Sequence, residues 1–238
     1  MNPLISNQFE AIMKKLFFFI PLLFFGCAPS LTYINPKYGH ADFKSNKMVI
    51  CPLNSQELKI ENADDVVDDF GKTDKRKPND VVRDSCFYVM QEDIIKNEKS
   101  IKVEKISNTI PIISLSQNAF FTITRKVGND SIPLSFAIPQ RDSIQLHPDI
   151  ILILNSISFS RSSGSAGSAT PGMGGGSLPS LNSTFNYLLW SYADSEAISY
   201  GQTHAETPFL FGMTHATWIT HFVNISHVVF SKTPFPVF

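Results

Sequence analysis

The densest group of candidate metal ligands is a pair of aspartate doublets, Asp64-Asp65 and Asp68-Asp69. On a helical turn, side chains four residues apart share a face, so these carboxylates could gather a divalent cation. However, the alternating oxygen ligands of an EF-hand loop are absent. Basic side chains also follow closely enough to neutralise the cluster: Lys72, Lys75, Arg76 and Lys77. We therefore favour a solvated acidic turn and predict neither a metal ion nor a cofactor.

Six histidines are the next candidates for metal binding or acid–base chemistry. Two histidines on a helix bind one metal ion when they are four residues apart, but His215, His221 and His227 follow one another at intervals of six. We expect these three on the polar or flanking faces of their helix. His204-Ala-Glu206 matches part of the zinc-deaminase signature, yet the P-C-x-x-C motif that supplies the other ligands is absent.

Short signatures of catalysis are missing elsewhere too. No G-x-S-x-G turn presents a nucleophilic serine. The glycine-rich residues 172–177 lack the Lys-Ser/Thr pair of a phosphate-binding loop. The formal net charge is -1 without a long basic stretch, which excludes an electrostatic footprint for nucleic acid. The sequence therefore predicts a protein that is not an enzyme and does not bind nucleic acid.

The N-terminal residues have the pattern of an export signal. Lys14 and Lys15 precede an apolar run over residues 16–25, which ends at Gly26-Cys27. That run is about ten residues long, well short of the roughly twenty that span a bilayer as a helix. We interpret residues 1–26 as a signal peptide and Met13 as the true initiator.

Residues 23–27, Leu-Phe-Phe-Gly-Cys, resemble the lipobox of bacterial lipoproteins, with Phe24 in place of the usual leucine. In that family the cysteine receives a diacylglycerol, the signal is cleaved before it, and the new amino group is acylated. The resemblance implies lipidation of Cys27 and the membrane as a partner. With Ala28 rather than Asp after the cysteine, it also implies the periplasmic face of the outer membrane. The alternative is an ordinary secretory signal with an incidental cysteine.

Two further cysteines, Cys51 and Cys86, remain after lipidation of Cys27. Export to an oxidising compartment allows them to pair. A bridge closing a loop of that length would stabilise the fold by roughly 3–4 kcal/mol. The alternative is a pair of buried thiols that act as small hydrophobic side chains.

The mature length suits one domain, which we place at residues 47–238 after a flexible tether over residues 27–46. Periodicity within the domain predicts two helices, one over residues 80–96 capped by Asn79 and one beginning at Thr214. It predicts strands over 47–53, 100–106, 119–127, 131–138, 150–159, 184–192 and 197–204, four of them paired as hairpins. Residues 160–183 are rich in glycine and serine, and we predict a disordered loop there.

Strands outnumber helices in this prediction, and four of the strands form two hairpins. The sequence therefore predicts an α/β (α+β) fold with a mixed, mainly antiparallel sheet and helices packed on one face. Trp190 and Tyr192 are expected to cover the core rather than to face a ligand. The disordered loop either orders on contact with a partner or is a plain surface excursion.

The order of these elements over residues 48–232 resembles that of envelope lipoproteins such as the curli secretion lipoprotein and the activators of peptidoglycan synthases. The resemblance implies a domain that docks other envelope proteins and performs no chemistry. Two functions follow. One is a scaffold or accessory factor in an envelope assembly, secretion or transport machine. The other is a periplasmic ligand-binding protein or hydrolase whose site has no local motif. The lack of catalytic signatures favours the first.

Overall fold

The computed structural model describes residues 31–53, 57–61, 66, 69–70, 75–106, 119–127, 130–144, 146–163, 178–210 and 212–235. The predicted signal peptide, Cys27, three of the four clustered aspartates and residues 164–177 lie outside these residues. The described residues belong to one compact unit, Leu31–Phe238. None of their helices is long and apolar enough to cross a membrane.

A seven-stranded mixed sheet forms the centre of the described structure. Its strands are β1 Leu31–Ile34, β2 Lys47–Ile50, β3 Leu58–Ile60, β4 Lys102–Val103, β7 Ile150–Ser162, β8 Ser180–Ser191 and β9 Glu196–Pro208. They are arranged in the order β1-β9-β8-β7-β2-β4, and β3 pairs with β7 beyond the end of β2. The β1, β9, β8 and β7 pairs are antiparallel, whereas β2, β3 and β4 pair in parallel. The predicted fold class is confirmed.

Two helices, α1 Pro78–Asn97 and α2 His215–Phe230, cover one face of this sheet, the helix face. Thr214 begins α2 with a reciprocal capping box to Thr217, as the sequence predicts for the cap. In contrast, α1 begins at Pro78 after Lys77. The prediction that Asn79 caps α1 is therefore wrong: its side-chain amide donates to the carbonyl of Leu58 and ties the helix to β3.

A separate hairpin, β5 Ala119–Val127 and β6 Asp130–Ile138, packs over part of the opposite face of the sheet. The ring of Phe121 lies 5.8 Å from that of Trp190 and 5.4 Å from that of Tyr200. Tyr192 donates a hydrogen bond to the carbonyl of Pro139. Trp190 and Tyr192 therefore help to cover the core, as predicted.

The segment that precedes β2 is part of the domain. β1 pairs with β9, Tyr38 and Phe43 are buried, and the Phe43 ring meets that of Phe235 edge-on at 5.0 Å. The prediction of a tether over residues 27–46 is therefore wrong from Leu31 onward. A four-residue strand leaves no periodicity in the sequence, and only its pairing with a distant strand makes it recognisable.

Strands β7 and β8 extend into both ends of the predicted loop over residues 160–183, and Ser162 pairs with Ser180. The loop prediction is wrong at these ends, because the two segments pair with each other in the sheet and bury the side chains of Leu181 and Ser183. Residues 164–177 lie outside the described part of the chain. The other predicted strands and hairpins are confirmed, although β4 is only two residues long.

Candidate functional site

The described structure begins close to the cysteine predicted to carry lipid. Leu31 opens the edge strand β1 four residues after Cys27. Lys37 and Tyr38, just after β1, contact Asp194 and Glu196 at the β8–β9 turn. We call these four residues the N-terminal clasp.

Ion pairs and hydrogen bonds hold the N-terminal clasp together. The Lys37 ammonium lies 2.8 Å from an Asp194 oxygen and 2.5 Å from a Glu196 oxygen, and the Tyr38 hydroxyl lies 2.7 Å from the other Asp194 oxygen. The hydrogen bond from Lys37 lowers the pKa of Asp194 to about 2 and also lowers that of Glu196. Burial is the main cause of the raised pKa of Tyr38. The clasp ties the segment after β1 to the turn between β8 and β9.

The sheet face opposite the helix face carries three cross-strand rows of polar side chains. These rows lie at the C-terminal end of β7. The rows are Ser158–Thr184–His204, Ser160–Asn182–Glu206 and Ser162–Ser180 with Pro208. We call this grid the open polar face. Adjacent strands lie about 4.8 Å apart and alternate residues roughly 6.8 Å apart, so hydroxyl, amide, imidazole and carboxylate groups form a regular array.

Hydrogen bonds order part of the open polar face. The Ser180 hydroxyl donates to Glu206 at 2.7 Å and lies 2.7 Å from the Ser162 hydroxyl. His204, Thr184 and Glu206 are exposed. The array offers several donors and acceptors to a partner. Serines alternating with apolar residues in β7 were the sequence signal for this surface, and that pattern alone predicts only a strand buried on one side.

A row of three amide side chains, Asn155, Asn186 and Gln202, separates the open polar face from the half of the sheet under the hairpin. Gln202 donates to Asn186, and Asn155 donates to the backbone carbonyl of Ser135 in β6. The hairpin is therefore held against one half of this sheet face, and the polar half stays uncovered by it.

His221 lies at the centre of a buried polar network, so the prediction that it faces a polar or flanking side of α2 is wrong. Its Nε2 lies 2.9 Å from the Ser183 hydroxyl and its Nδ1 lies 2.9 Å from the Thr207 hydroxyl, which accepts from Asn224. The distances suit a nucleophile and its base. However, His221 is 0% and Ser183 1% exposed, so no substrate reaches them. Burial lowers the pKa of His221 to about 4, which keeps the ring neutral at pH 7.

The other candidate ligands do not converge among the described residues. Asp69 accepts hydrogen bonds from Arg161 at 2.7 Å and from the Trp218 indole at 2.9 Å, so it belongs to the core boundary rather than to a solvated turn. His227 lies 3.3 Å from Asp93 of α1, and His215 packs edge-on against Phe70. His204 and Glu206 lie on the open polar face.

Cys51 and Cys86 are both buried free thiols, so the predicted disulfide is not present in the structure. Burial raises the pKa of Cys51 to about 12 and raises that of Cys86 further. The Cys86 sulfur lies 3.8 Å from that of Met90, one turn along α1. Both cysteines therefore have the environment of small apolar side chains.

One cleft in the described structure lies between β3, β7 and α2 beside Arg161 and Trp218, and it encloses about 190 Å³ of space. This space includes the solvent at the mouth of the cleft, and the cleft has no interior room for even one water molecule, whereas typical small-molecule pockets measure roughly 300–1,000 Å³. This cleft is too small for a drug-sized ligand, and a flat surface such as the open polar face suits a larger partner better.

Comparisons with protein families and with curated proteins find no match to this sequence. Among solved structures, a chain of the PelC dodecamer from Paraburkholderia phytofirmans aligns over 87% of this chain and 98% of its own. The TM-score is 0.32 and the sequence identity is 7%. A score this low does not establish a shared fold.

Proposed function

We propose that the protein is a membrane-anchored lipoprotein that works by binding other components of a bacterial envelope. In this proposal Cys27 carries the lipid, and the domain serves as a scaffold or accessory factor in an assembly, secretion or transport machine. The outer membrane, on its periplasmic side, is the proposed location, because Ala28 follows the cysteine.

The position of Cys27 carries the proposal. The cysteine closes an apolar run too short to span a bilayer, and a compact domain begins four residues later. A lipid on this cysteine would hold the whole domain at a membrane surface.

The open polar face supports binding rather than chemistry. Its groups are rigidly spaced and partly exposed, which suits a partner that forms several hydrogen bonds at once.

A ligand-binding protein or a hydrolase is the second candidate, and the Ser183–His221 pair is the observation that would favour the hydrolase. Its complete burial weighs against that alternative.

Replacing Cys27 with Ser tests the lipid anchor. In a bacterium fed a labelled fatty acid, the full chain should be labelled and membrane-bound, because the modifying enzymes act on the thiol. The Cys27→Ser chain should be unlabelled. A Cys51→Ala chain, which keeps Cys27, is the matched control and should keep the label. Equal label in the Cys27→Ser and parent chains would contradict the proposal.

Photo-cross-linking tests the binding role. A photoreactive side chain at Thr184 on the open polar face should capture an envelope protein that mass spectrometry then identifies. The same group at Tyr88, which is exposed on α1, is the control. Identical products at the two positions, or products with no envelope protein, would oppose a specific role for this surface.

A further inference from the structure

Only three residues separate Cys27 from β1. Four residue steps of fully extended chain span at most about 14 Å. The start of β1 therefore lies within that distance of any lipid carried by Cys27, whatever path residues 28–30 take.

The domain is wide compared with this connection. A compact chain of the length of Leu31–Phe238 has a radius of gyration of about 17 Å and is therefore roughly 43 Å across. A domain of that width on so short a connection cannot rotate until β1 faces away from the membrane. The edge of the sheet at β1 is consequently the side nearest to the lipid.

Side chains at this edge have the chemistry of a membrane interface. Tyr33 and Ile34 are 41% and 40% exposed although both are large. The Tyr33 ring lies 5.0 Å from that of Tyr200, which Phe121 contacts from the hairpin. Tyrosine is enriched where an apolar body meets water and lipid head groups.

We propose that the β1 edge, with Tyr33 and Ile34, rests directly on the lipid head groups. This inference depends on the proposed lipidation of Cys27 and adds the orientation of the domain to it. The opposite edge of the sheet is β4, five strand spacings from β1, or about 24 Å away. Lys102 in β4 therefore lies clear of the membrane.

Fluorophores attached to introduced cysteines test this orientation in the full, lipidated chain. The environment-sensitive dye NBD is placed at Tyr33→Cys or Ile34→Cys, with Lys102→Cys as the matched control on the other edge. The protein is reconstituted into phosphatidylethanolamine–phosphatidylglycerol vesicles. Nitroxide-labelled lipids should quench the dye at positions 33 and 34 several-fold more than at 102, and aqueous iodide should show the reverse order. The parent chain, with Cys51 and Cys86 buried, should take up little dye.

The outcomes separate this inference from the lipidation itself. If the protein fails to float with the vesicles, the anchor proposal has failed. If it floats but the two edges are quenched equally by nitroxide lipids, the orientation is wrong. A flexible insert of 20 Gly/Ser residues after Ser30 would extend the connection by about 25 Å on average. It should abolish the difference between the edges while flotation persists, and an unchanged difference would refute the role of the short connection.

Discussion

His221 is a neutral histidine in the core, and its burial makes the stability of the domain depend on pH. Its pKa is about 4 in the folded protein, whereas the ordinary pKa of an exposed histidine is 6.5. Below pH 6.5 the unfolded chain therefore binds a proton that the folded protein does not, which favours unfolding. We expect the free energy of unfolding to fall by about 2 kcal/mol between pH 7 and pH 5 on this account.

Urea melts at the two pH values measure this effect. A His221→Gln chain should be less stable at pH 7, because Gln cannot hydrogen-bond Ser183 and Thr207 in the same geometry. However, it should lose much less stability on acidification to pH 5, since Gln does not titrate. If both chains show the same change with pH, another group is responsible.

Asp69 stabilises the junction between β7 and α2. Its nearly buried carboxylate accepts from Arg161 and Trp218, so Asp69→Ala removes two hydrogen bonds, one of them part of an ion pair with the Arg161 guanidinium. We expect a loss of about 2–4 kcal/mol in a urea melt, and a smaller loss for Asp69→Asn, which keeps one acceptor oxygen. Asp142→Ala, at an exposed aspartate, is the control and should change stability by less than about 0.5 kcal/mol.

The sequence predicted the burial of the apolar side chains of α2 better than the burial of its polar ones. Trp218, Phe222, Ile225 and Val229 follow helical spacing and are buried as expected. His221 lies on the same side of the helix, three residues after Trp218, so its burial could have been predicted from its position. Its partners Ser183 and Thr207 were not, because they lie on strands whose register depends on the whole sheet.

At the scale of elements, Gly201 permits β1 to pair with β9. A Cβ atom at this position would lie 2.1 Å from the Leu31 carbonyl oxygen and 2.8 Å from the Thr32 Cα. Gly201→Ala should therefore displace β1 and cost about 1–3 kcal/mol in a thermal or urea melt. Amide exchange should increase in residues 31–35. Gly39→Ala is the matched control, because a Cβ there meets only Pro36 at 3.5 Å and should be tolerated.

The boundary of the folded domain gives a second test at this scale. A chain that begins at Lys47, the boundary indicated by the sequence, lacks β1 and the buried rings of Tyr38 and Phe43. Compared with a chain that begins at Leu31, it should be less stable by about 3–5 kcal/mol, because two aromatic side chains and an edge strand no longer pack. Equal urea midpoints for the two chains would show that the N-terminal segment is dispensable.

Long elements were predictable because they carry periodicity, whereas the short strands β1 and β3 were not predicted. β7, β8, β9, α1 and α2 repeat their apolar pattern over many residues, and the structure has them close to the predicted bounds. β1 and β3 have four residues or fewer, and each exists through pairing with a strand far away in the sequence. Predicting the open polar face would have required knowledge of strand pairing as well, since its rows join three strands.

At the scale of the whole molecule, the two faces of the sheet differ in what covers them. The helix face holds the large apolar core and the neutral His221. The other face is divided by the amide row into a half sealed by the hairpin and an open polar half. The N-terminal clasp fixes β1 to the end of the sheet from which the β8–β9 turn projects. A rigid sheet thus connects the proposed anchor to the proposed binding surface without a flexible joint among the described residues.

The last prediction concerns the connection between β7 and β8, residues 163–179. Ser162 and Ser180 are neighbours in an antiparallel pair, so a tight turn could join the two strands directly. The intervening residues carry no charge and few large apolar side chains. Because the entropy of loop closure changes by about 0.6 kcal/mol per doubling of length and a shorter loop loses less of it, replacing them with an Asn-Gly turn should not lower stability.

A urea melt of the shortened chain measures this, with a chain lengthened there by the same number of Gly/Ser residues as the control. The shortened chain should be no less stable than the parent and should gain at most about 2 kcal/mol, because about three halvings of the loop length each save about 0.6 kcal/mol. The lengthened chain, with about one doubling, should lose about 0.6 kcal/mol, since neither change touches the buried side chains of β7 and β8. Cross-linking from Thr184 then reports on function: lost adducts with unchanged stability mean that the segment contacts the partner. A loss of more than about 2 kcal/mol on shortening is typical of a damaged core, and it would mean that these residues pack against the domain.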